Sequence, residues 1–107
     1  MKKIQAFVHH IRSPSVLDAL RDAGVKNVTL LDVKGTLKPF SESEQAYSVE
    51  TRLAIISEVR ISLVCDDADV KRITDVIRSS GHIGDGISGW VYVSPVEQAL
   101  PIEGSDC

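Results

Sequence analysis

The sequence predicts a single α+β domain, because two strand-helix-strand units follow one another within 107 residues. Each predicted helix ends in a small residue and a glycine, Gly24 in the first unit and Gly81 in the second. Two such units predict a ferredoxin-like βαββαβ sandwich, with an antiparallel sheet and both helices on one face. A chain of this length has room for one domain, residues 1–107.

The first unit begins with a strand in KIQAFVHHI. Ile4, Ala6 and Val8 lie on one face of the predicted strand, and Phe7 and Ile11 lie on the other. At least one face of this strand is therefore predicted to be buried.

The first helix has a start signal and a stop signal. Ser13 is predicted as its N-cap with Pro14 at the first helical position, and Gly24 ends it. Its apolar stripe at helical spacing consists of Val16, Leu17, Leu20 and Ala23. NVTLLDV then predicts the second strand.

The second unit repeats this order. RLAIISEVRISLVC predicts the third strand, and its alternate apolar residues are Val59, Ile61 and Leu63. Asp66 or Asp67 is predicted to cap the second helix, which stops at Gly81. WVYVSPV predicts the fourth strand, beginning at Trp90, a predicted packing residue at a subunit contact.

One face of the predicted sheet has no helix to cover it. Apolar residues occur at both odd and even positions of the strands, so some of them need a packing partner other than the helices. These residues are Phe7, Ile11, Leu31, Val33 and Val64. We therefore expect a homo-oligomer in which sheets pack on one another.

The connection at residues 36–52 is long for a compact domain. Its length favours a partner-binding loop, although a tolerated flexible hairpin tip is the alternative. The residues predicted to contact a partner protein are Lys38, Phe40, Glu44, Tyr47 and Thr51. Residues 101–107 are predicted to form a mobile tail.

Composition excludes several classes of partner. Twelve basic against fifteen acidic residues give a net charge of −3, so no nucleic-acid-binding surface is expected. No apolar run is long enough for a membrane span, and no signal peptide is recognisable, which predicts a cytoplasmic protein. The two cysteines, Cys65 and Cys107, form no metal-binding or disulfide pattern.

The stretch GDGISG at residues 84–89 fits the spacing of a dinucleotide-binding fingerprint. That fingerprint needs a strand-turn-helix context, whereas here a helix precedes the loop and a strand follows it. The sequence therefore predicts no NAD or FAD site. Glycines in such a loop can still adopt positive φ and present backbone N–H groups to an anion.

Several segments spread over the chain carry a more specific pattern: MKKI at the start, LDALRDAG at 17–24, VTLLDVKG at 28–35, VRISLV at 59–64, SGHIGDG at 80–86 and VYVSPVE at 91–97. In these segments the chain resembles the PII signal-transduction family. The resemblance implies a homotrimer of ferredoxin-like subunits whose intersubunit clefts bind adenine nucleotides. It also implies that loop 36–52 docks on a transporter or an enzyme.

The same resemblance implies an effector site. The residues that match family positions around the nucleotide are Thr29, Gly35, Val64, Gly84, Asp85 and Gly86. His82 stands beside them, where the family usually has a lysine before the IGDG sequence. Ile87 follows the GDG sequence where the family has a phosphate-binding lysine, and residues 101–104 lack the family's arginines. Because charge-assisted phosphate contacts are missing, we expect ADP or AMP rather than ATP.

Loop residues also depart from the family pattern. Pro39 stands in place of a glutamine that binds magnesium and 2-oxoglutarate, Glu58 in place of a lysine, and Thr51 in place of the uridylylated tyrosine. We therefore expect neither 2-oxoglutarate sensing nor uridylylation.

A metal site is the weaker alternative. His9 and His10 are adjacent, so on a strand they would point to opposite faces and could not share one metal. His82 and His10 remain candidate ligands, and the cluster Asp66, Asp67, Asp69 is better explained by helix capping.

Cys65 is predicted to be a small buried residue, Cys107 a terminal thiol, and no catalytic constellation is found. The sequence thus predicts a non-catalytic regulator. A metal- or anion-responsive trimer and a constitutive adaptor are the alternatives.

Overall fold

The computed structural model describes residues 1–35, 46–47 and 54–103. Its strands are β1 (Lys2–His9), β2 (Thr29–Gly35), β3 (Ala46–Tyr47), β4 (Ala54–Cys65) and β5 (Trp90–Pro95). Its helices are α1 (Ser13–Asp22) and α2 (Val70–Ser80), each preceded by a short 3-10 turn.

The sheet has the strand order β2-β4-β1-β5, and the short β3 pairs with β4 alone. Every pairing in it is antiparallel. β1 and β4 are therefore central, while β2 and β5 form the two edges. This order, with a helix after β1 and another after β4, confirms the predicted ferredoxin-like α+β fold.

The core lies between the sheet and the two helices. Ile4, Ala6 and Val8 of β1 are register partners of Leu63, Ile61 and Val59 of β4. These side chains are buried, and the helices add Val16, Leu20, Ile73 and Ile77. Complete burial of an aliphatic side chain of this kind contributes roughly 1.5–3 kcal/mol to folding. The predicted alternation in both central strands is confirmed.

The start of α1 differs from the prediction. Arg12 occupies the N-cap position and Ser13 is already helical, with its hydroxyl donating to the carbonyl of His10 at 2.8 Å. A 3-10 turn at His10–Arg12 precedes the helix, and this turn sets its boundary. The turn also places Ile11 outside β1, so Ile11 is not part of the open sheet face.

The predicted cap of α2 is also wrong. Neither Asp66 nor the actual N-cap residue, Asp69, makes a side-chain capping hydrogen bond. Asp67 instead accepts a hydrogen bond from the N-terminal ammonium of Met1 at 2.6 Å. That contact lowers the pKa of the Asp67 carboxyl below its usual value. Asp67 thus ties the chain terminus to the turn before α2.

The sheet face opposite the helices is open in the single chain. Lys3, Gln5 and Phe7 of β1 face this side with Arg60 and Ser62 of β4. Its exposed large apolar side chains are Leu31, Val64, Trp90 and Tyr92. Phe7 packs edge-on against Tyr92, with ring centroids 6.0 Å apart. An apolar patch on an otherwise polar sheet face is typical of a surface that another chain covers.

Candidate functional site

The GDG loop connects α2 to β5, so the predicted helix-loop-strand order is confirmed. Gly84 and Gly86 have φ values of 55° and 92°, in the left-handed region that favours glycine. Ser88 closes the loop, because its hydroxyl accepts from the Ile83 N–H at 2.8 Å and donates to the Ile83 carbonyl at 3.0 Å. This role of Ser88 was not predicted from the sequence. The only signal in the sequence for this pair of hydrogen bonds is that Ser88 follows Ile83 by five residues.

Gly89 brings the loop against the backbone of β1. A Cβ atom at this position would overlap the carbonyl oxygen of Phe7 and would also crowd the carbonyl carbon of that residue. The third glycine of GDGISG is therefore needed for close packing of the loop on the sheet.

A cavity lies beside this loop, and we call it the loop cavity. It has a volume of about 390 Å³. Of the predicted effector residues, His82 and Gly86 line it. Arg78 and the exposed Trp90 also line it, so it offers one permanent positive charge and an aromatic surface.

The second cavity is a wider groove of about 750 Å³ on the β2 side, and we call it the β2 groove. Two other predicted effector residues, Thr29 and Val64, line it. Thr29 and Ser62 are register partners, so their side chains are neighbours on the open sheet face. Lys3, Lys26, Asn27 and Arg60 are also among its lining residues.

The two cavities belong to opposite edges of the sheet. The loop cavity adjoins β5 and the β2 groove adjoins β2, with β1 and β4 between those strands. Three interstrand spacings correspond to about 14 Å. A single chain therefore does not bring Thr29 and Val64 together with His82 and Gly86. Gly84 and Asp85 stand beside Gly86 in the loop, and Gly35 ends β2.

Gly35 makes room for a buried carboxylate. A Cβ atom at Gly35 would overlap the carboxyl group of Glu58. Glu58 is 7% exposed, and its Oε2 atom is buried without a hydrogen-bond partner among the described residues. Burial raises the pKa of this carboxyl above its usual value of 4.5. A carboxyl group with one unpartnered buried oxygen therefore lies beside Gly35, at the end of β2.

Glu58 is expected to make stability depend on pH. Because its folded-state pKa is raised, it stabilises the fold below about pH 4.5, and this contribution is lost as pH rises through the folded-state pKa. We expect Glu58→Gln to match the unsubstituted protein at pH 4 and to exceed it by about 1 kcal/mol at pH 8. Urea unfolding at both pH values measures this difference. The exposed Glu97→Gln is the control, and an equal pH effect there would contradict the assignment.

The histidine pair differs from the prediction. β1 ends at His9 and His10 begins the 3-10 turn, so the rings stack at 4.7 Å instead of pointing to opposite faces. His9 is buried, and its Nδ1 accepts from the Ile11 N–H at 3.3 Å. The Nδ1 of His10 lies 3.0 Å from the carbonyl oxygen of Ser57. Within residues 1–35 and 54–103, no group of three histidine, cysteine or acidic side chains could hold a metal ion.

Cys65 lies at the end of β4 and is half-buried. Burial, followed by the charges of Asp69 and Asp66, raises the pKa of its thiol. A raised pKa disfavours the reactive thiolate, which fits the predicted packing role. Cys107 lies outside the described residues.

Most of the predicted partner loop lies outside the described residues, including Lys38, Phe40, Glu44 and Thr51. Tyr47 lies in β3, where it pairs with Ala54 of β4. Of the predicted tail, the structure describes Pro101, Ile102 and Glu103. Ile102 is exposed, and so is Leu100, which precedes the tail. Among the described helices, none has the length and apolar character needed to cross a bilayer.

Comparison with known proteins decides the family. The family model described as nitrogen regulatory protein P-II matches residues 1–105. The chain belongs to the P-II family. P-II proteins are regulatory signal transducers without catalytic activity, so the predicted regulator and the absence of an enzymatic role are confirmed at this level.

Relatives within the P-II family match almost end to end. The nitrogen regulatory protein P-II of Azospirillum brasilense is 29% identical over 102 residues, which cover 95% of this chain and 91% of the relative. The nitrogen fixation nifHD region GlnB-like protein 1 of Methanothermobacter marburgensis is 36% identical over 103 residues, 95% of this chain and 93% of the relative. The P-II protein of Porphyra purpurea is 28% identical, covering 99% and 95% of the two chains.

Proposed function

We propose that this P-II protein is a homotrimer that binds ADP or AMP in its intersubunit clefts and signals to a partner transporter or enzyme through residues 36–52. The proposal places it in the cytoplasm as one domain. The observation that carries it is the division of the predicted effector residues between two edges of one sheet.

A head-to-tail arrangement of subunits would unite the two sets of residues. In such an arrangement the β2 edge of one subunit meets the β5 edge of the next, and repetition of this contact closes a ring. The β2 groove and the loop cavity then become two walls of one cleft. The exposed apolar side chains of Leu31, Val64 and Tyr92 support the proposal, because sheet-to-sheet packing inside the ring would bury them.

The loop cavity favours a nucleotide with few phosphates. Loop backbone with positive φ at Gly84 and Gly86 can present N–H groups to an anion, but Ile87 adds an apolar side chain that is 66% exposed. Among the described residues that line the loop cavity, Arg78 is the one permanently charged side chain, and each charge-assisted hydrogen bond to phosphate contributes about 1.5–3 kcal/mol. We place the phosphates at this wall of the cleft, beside the GDG loop, where a single such residue supports one or two phosphates more than three.

A ligand in the cleft would signal to the partner protein through the base of loop 36–52, the point at which β2 ends. Gly35 ends β2 directly before residue 36, and it contacts the buried carboxyl end of Glu58. A ligand in the cleft that favours one arrangement of this base would shift the population of loop states, provided that it binds those states unequally. We expect the partner protein to recognise one of these populations.

Calorimetric titration of the full chain with ATP, ADP, AMP and cyclic AMP tests the proposal. We expect saturable binding of ADP or AMP, at about one per subunit, with ATP weaker. Gly86→Val is expected to abolish this binding without changing the oligomer mass, because a β-branched residue at φ 92° must distort the loop.

Gly24→Val is the matched control for this test. Gly24 has a φ of 87°, and a Cβ atom at either glycine would meet no atom within 4 Å. Both variants therefore carry similar backbone strain, about 1–2 kcal/mol, but only Gly86 lines the loop cavity. Nucleotide binding retained by Gly86→Val, or lost equally in Gly24→Val, would contradict the proposed site. A monomeric mass would contradict the ring.

A further inference from the structure

Glu58 is a buried acid on the sheet face that lies away from the helices. Its neighbours Val59 and Ile61 supply core side chains on alternate positions, so Glu58 and Arg60 share the open face. A carboxyl group is rarely this well buried unless a cation or several hydrogen-bond donors accompany it. The Oε2 atom of Glu58 has no hydrogen-bond partner among the described residues. Ionisation of this carboxyl in its buried position is therefore unfavourable.

Titratable and charged groups adjoin Glu58 from β1 and from β4 itself. On β1 its register partner is His9, which is buried and whose Nδ1 accepts from the Ile11 N–H at 3.3 Å. The His10 ring stacks on that of His9. On β4 the nearest charge on the same face is Arg60, and the ion pairs of the described residues do not join it to Glu58. Arg60 therefore does not neutralise Glu58 through a direct contact.

The β2 side is where Glu58 can reach water at the smallest structural cost. Val33 is its register partner there, and Gly35 is the next residue on the same face. A Cβ atom at Gly35 would overlap the carboxyl group, so this group lies directly against the backbone of β2. β2 is an edge strand, and Gly35 is its last residue. Separation of these last residues from β4 breaks few hydrogen bonds and exposes the carboxyl.

The charged side chains of β2 near its end lie on the opposite face from Glu58. Lys34 is the register partner of Ser57, and its Nζ atom donates to the Ser57 hydroxyl at 2.8 Å. Asp32 shares that face with Lys34, and both residues are exposed. Exposed polar contacts of this kind stabilise a structure only slightly, so the end of β2 depends mainly on strand pairing.

We propose that ionisation of Glu58 opens the end of β2, from Val33 to Gly35, away from β4. With a neutral carboxyl this strand end stays paired, and with an ionised carboxyl the open form, in which the charge reaches water, becomes more populated. Residues 36–52 begin directly after Gly35, so the opening moves the point from which that segment starts. The base of the segment thus responds to pH, independently of the proposed nucleotide cleft.

The sign of the effect follows from burial. In the paired form burial raises the pKa of the Glu58 carboxyl, whereas in the open form the pKa returns towards its usual value of 4.5. Below about pH 4.5 the carboxyl is protonated in both forms, so opening does not depend on pH there. The open form gains as pH rises through the raised pKa.

Amide hydrogen exchange of the full chain without nucleotide, at pH 4 and at pH 8, tests this opening. Each rate is divided by the intrinsic exchange rate at that pH, so that only changes in protection remain. We expect protection at residues 33–35 and 56–58 to fall about three- to tenfold at pH 8, since a pKa difference of one unit corresponds to about tenfold. Residues 3–7 of the central strand β1 are the internal reference, where we expect no change.

Glu58→Gln removes the ionisable group, so we expect protection at residues 33–35 to be the same at both pH values. Asp32→Asn is the matched control, because it removes an exposed carboxyl near the same strand end and is expected to keep the pH dependence. Gly35→Ala retains the acid, but its Cβ would displace the flexible carboxyl end of Glu58 from the buried position. We expect this variant to lose the pH dependence as well.

Three results would overturn the proposal. They are equal protection at residues 33–35 at both pH values in the unsubstituted protein, a pH dependence that persists in Glu58→Gln, and an equal fall in protection at residues 3–7. The second would assign the titration to another group such as His9, and the third would mean that the whole fold responds to pH. Because no nucleotide is present, failure of the proposed nucleotide binding would not alter these outcomes.

Discussion

Replacing Gly89 with alanine is expected to lower the free energy of unfolding by about 3 kcal/mol. The new Cβ atom would overlap the carbonyl oxygen of Phe7, which belongs to the backbone of the central strand β1. A backbone atom in a paired strand cannot rotate away as a side chain can, since Phe7 pairs with both Arg60 and Trp90. The loop must therefore separate from the sheet or the pairing must shift.

Urea unfolding at a fixed protein concentration measures this loss, because the proposed assembly would make stability depend on concentration. Gly84→Ala is the control in the same loop. Its Cβ would meet no atom within 4 Å, so its cost is limited to the strain at φ 55°, about 1–2 kcal/mol. Equal stability of the two variants would mean that the contact with Phe7 does not control this loop.

Ile61→Ala is expected to destabilise the fold by about 3–4 kcal/mol. Ile61 is fully buried in β4, where it pairs with Ala6 on one side and Leu30 on the other. Removing its larger side chain leaves a cavity beneath both helices that the paired strands cannot collapse to fill. Thermal and urea unfolding should both record the loss.

Ile102→Ala is the control for Ile61→Ala. Ile102 is fully exposed, so the same atoms are removed without any burial being lost. We expect a change below about 0.5 kcal/mol. A small effect at Ile61 would place the folding core elsewhere than between β4 and the helices.

Much of the fold follows from local patterns in the sequence. The alternation of Ile4, Ala6 and Val8 predicted a buried strand face, and Gly24 and Gly81 marked the ends of the helices correctly. These signals depend on spacing alone, because side chains alternate along a strand and repeat about every 3.6 residues along a helix. The helix-loop-strand order around the GDG loop was read correctly for the same reason.

Features that depend on where a strand ends were not predictable. The stacked rings of His9 and His10 require that β1 stop at His9, and no residue there announces this end. The contact of Asp67 with the chain terminus joins residues 66 positions apart, so no local pattern reveals it. From its place before α2, Asp67 was instead predicted to be a helix cap. The burial of Glu58 beside Gly35 likewise depends on the pairing of β2 with β4.

The predicted effector residues show more clearly that contacts between distant strands cannot be predicted from spacing in the sequence. A resemblance in sequence named Thr29 and Gly86 as parts of intersubunit clefts, but no spacing in the sequence shows which residues lie at each edge of the sheet. Their separation, and the positive charge gathered by Lys3, Lys26 and Arg60, emerge only when four strands are placed side by side. Residues distant in sequence form the groove, so spacing carries no signal for it.

The placement of the two cavities on opposite edges has a consequence for mixtures of subunits. Consider one variant damaged in the loop cavity and another damaged in the β2 groove, each unable to form any complete cleft by itself. In the proposed ring, every mixed trimer contains one junction at which an intact β2 edge meets an intact β5 edge. Co-expression of two inactive variants would therefore restore one cleft in each mixed trimer, so the proposed cleft would be a binding site that two gene copies can share.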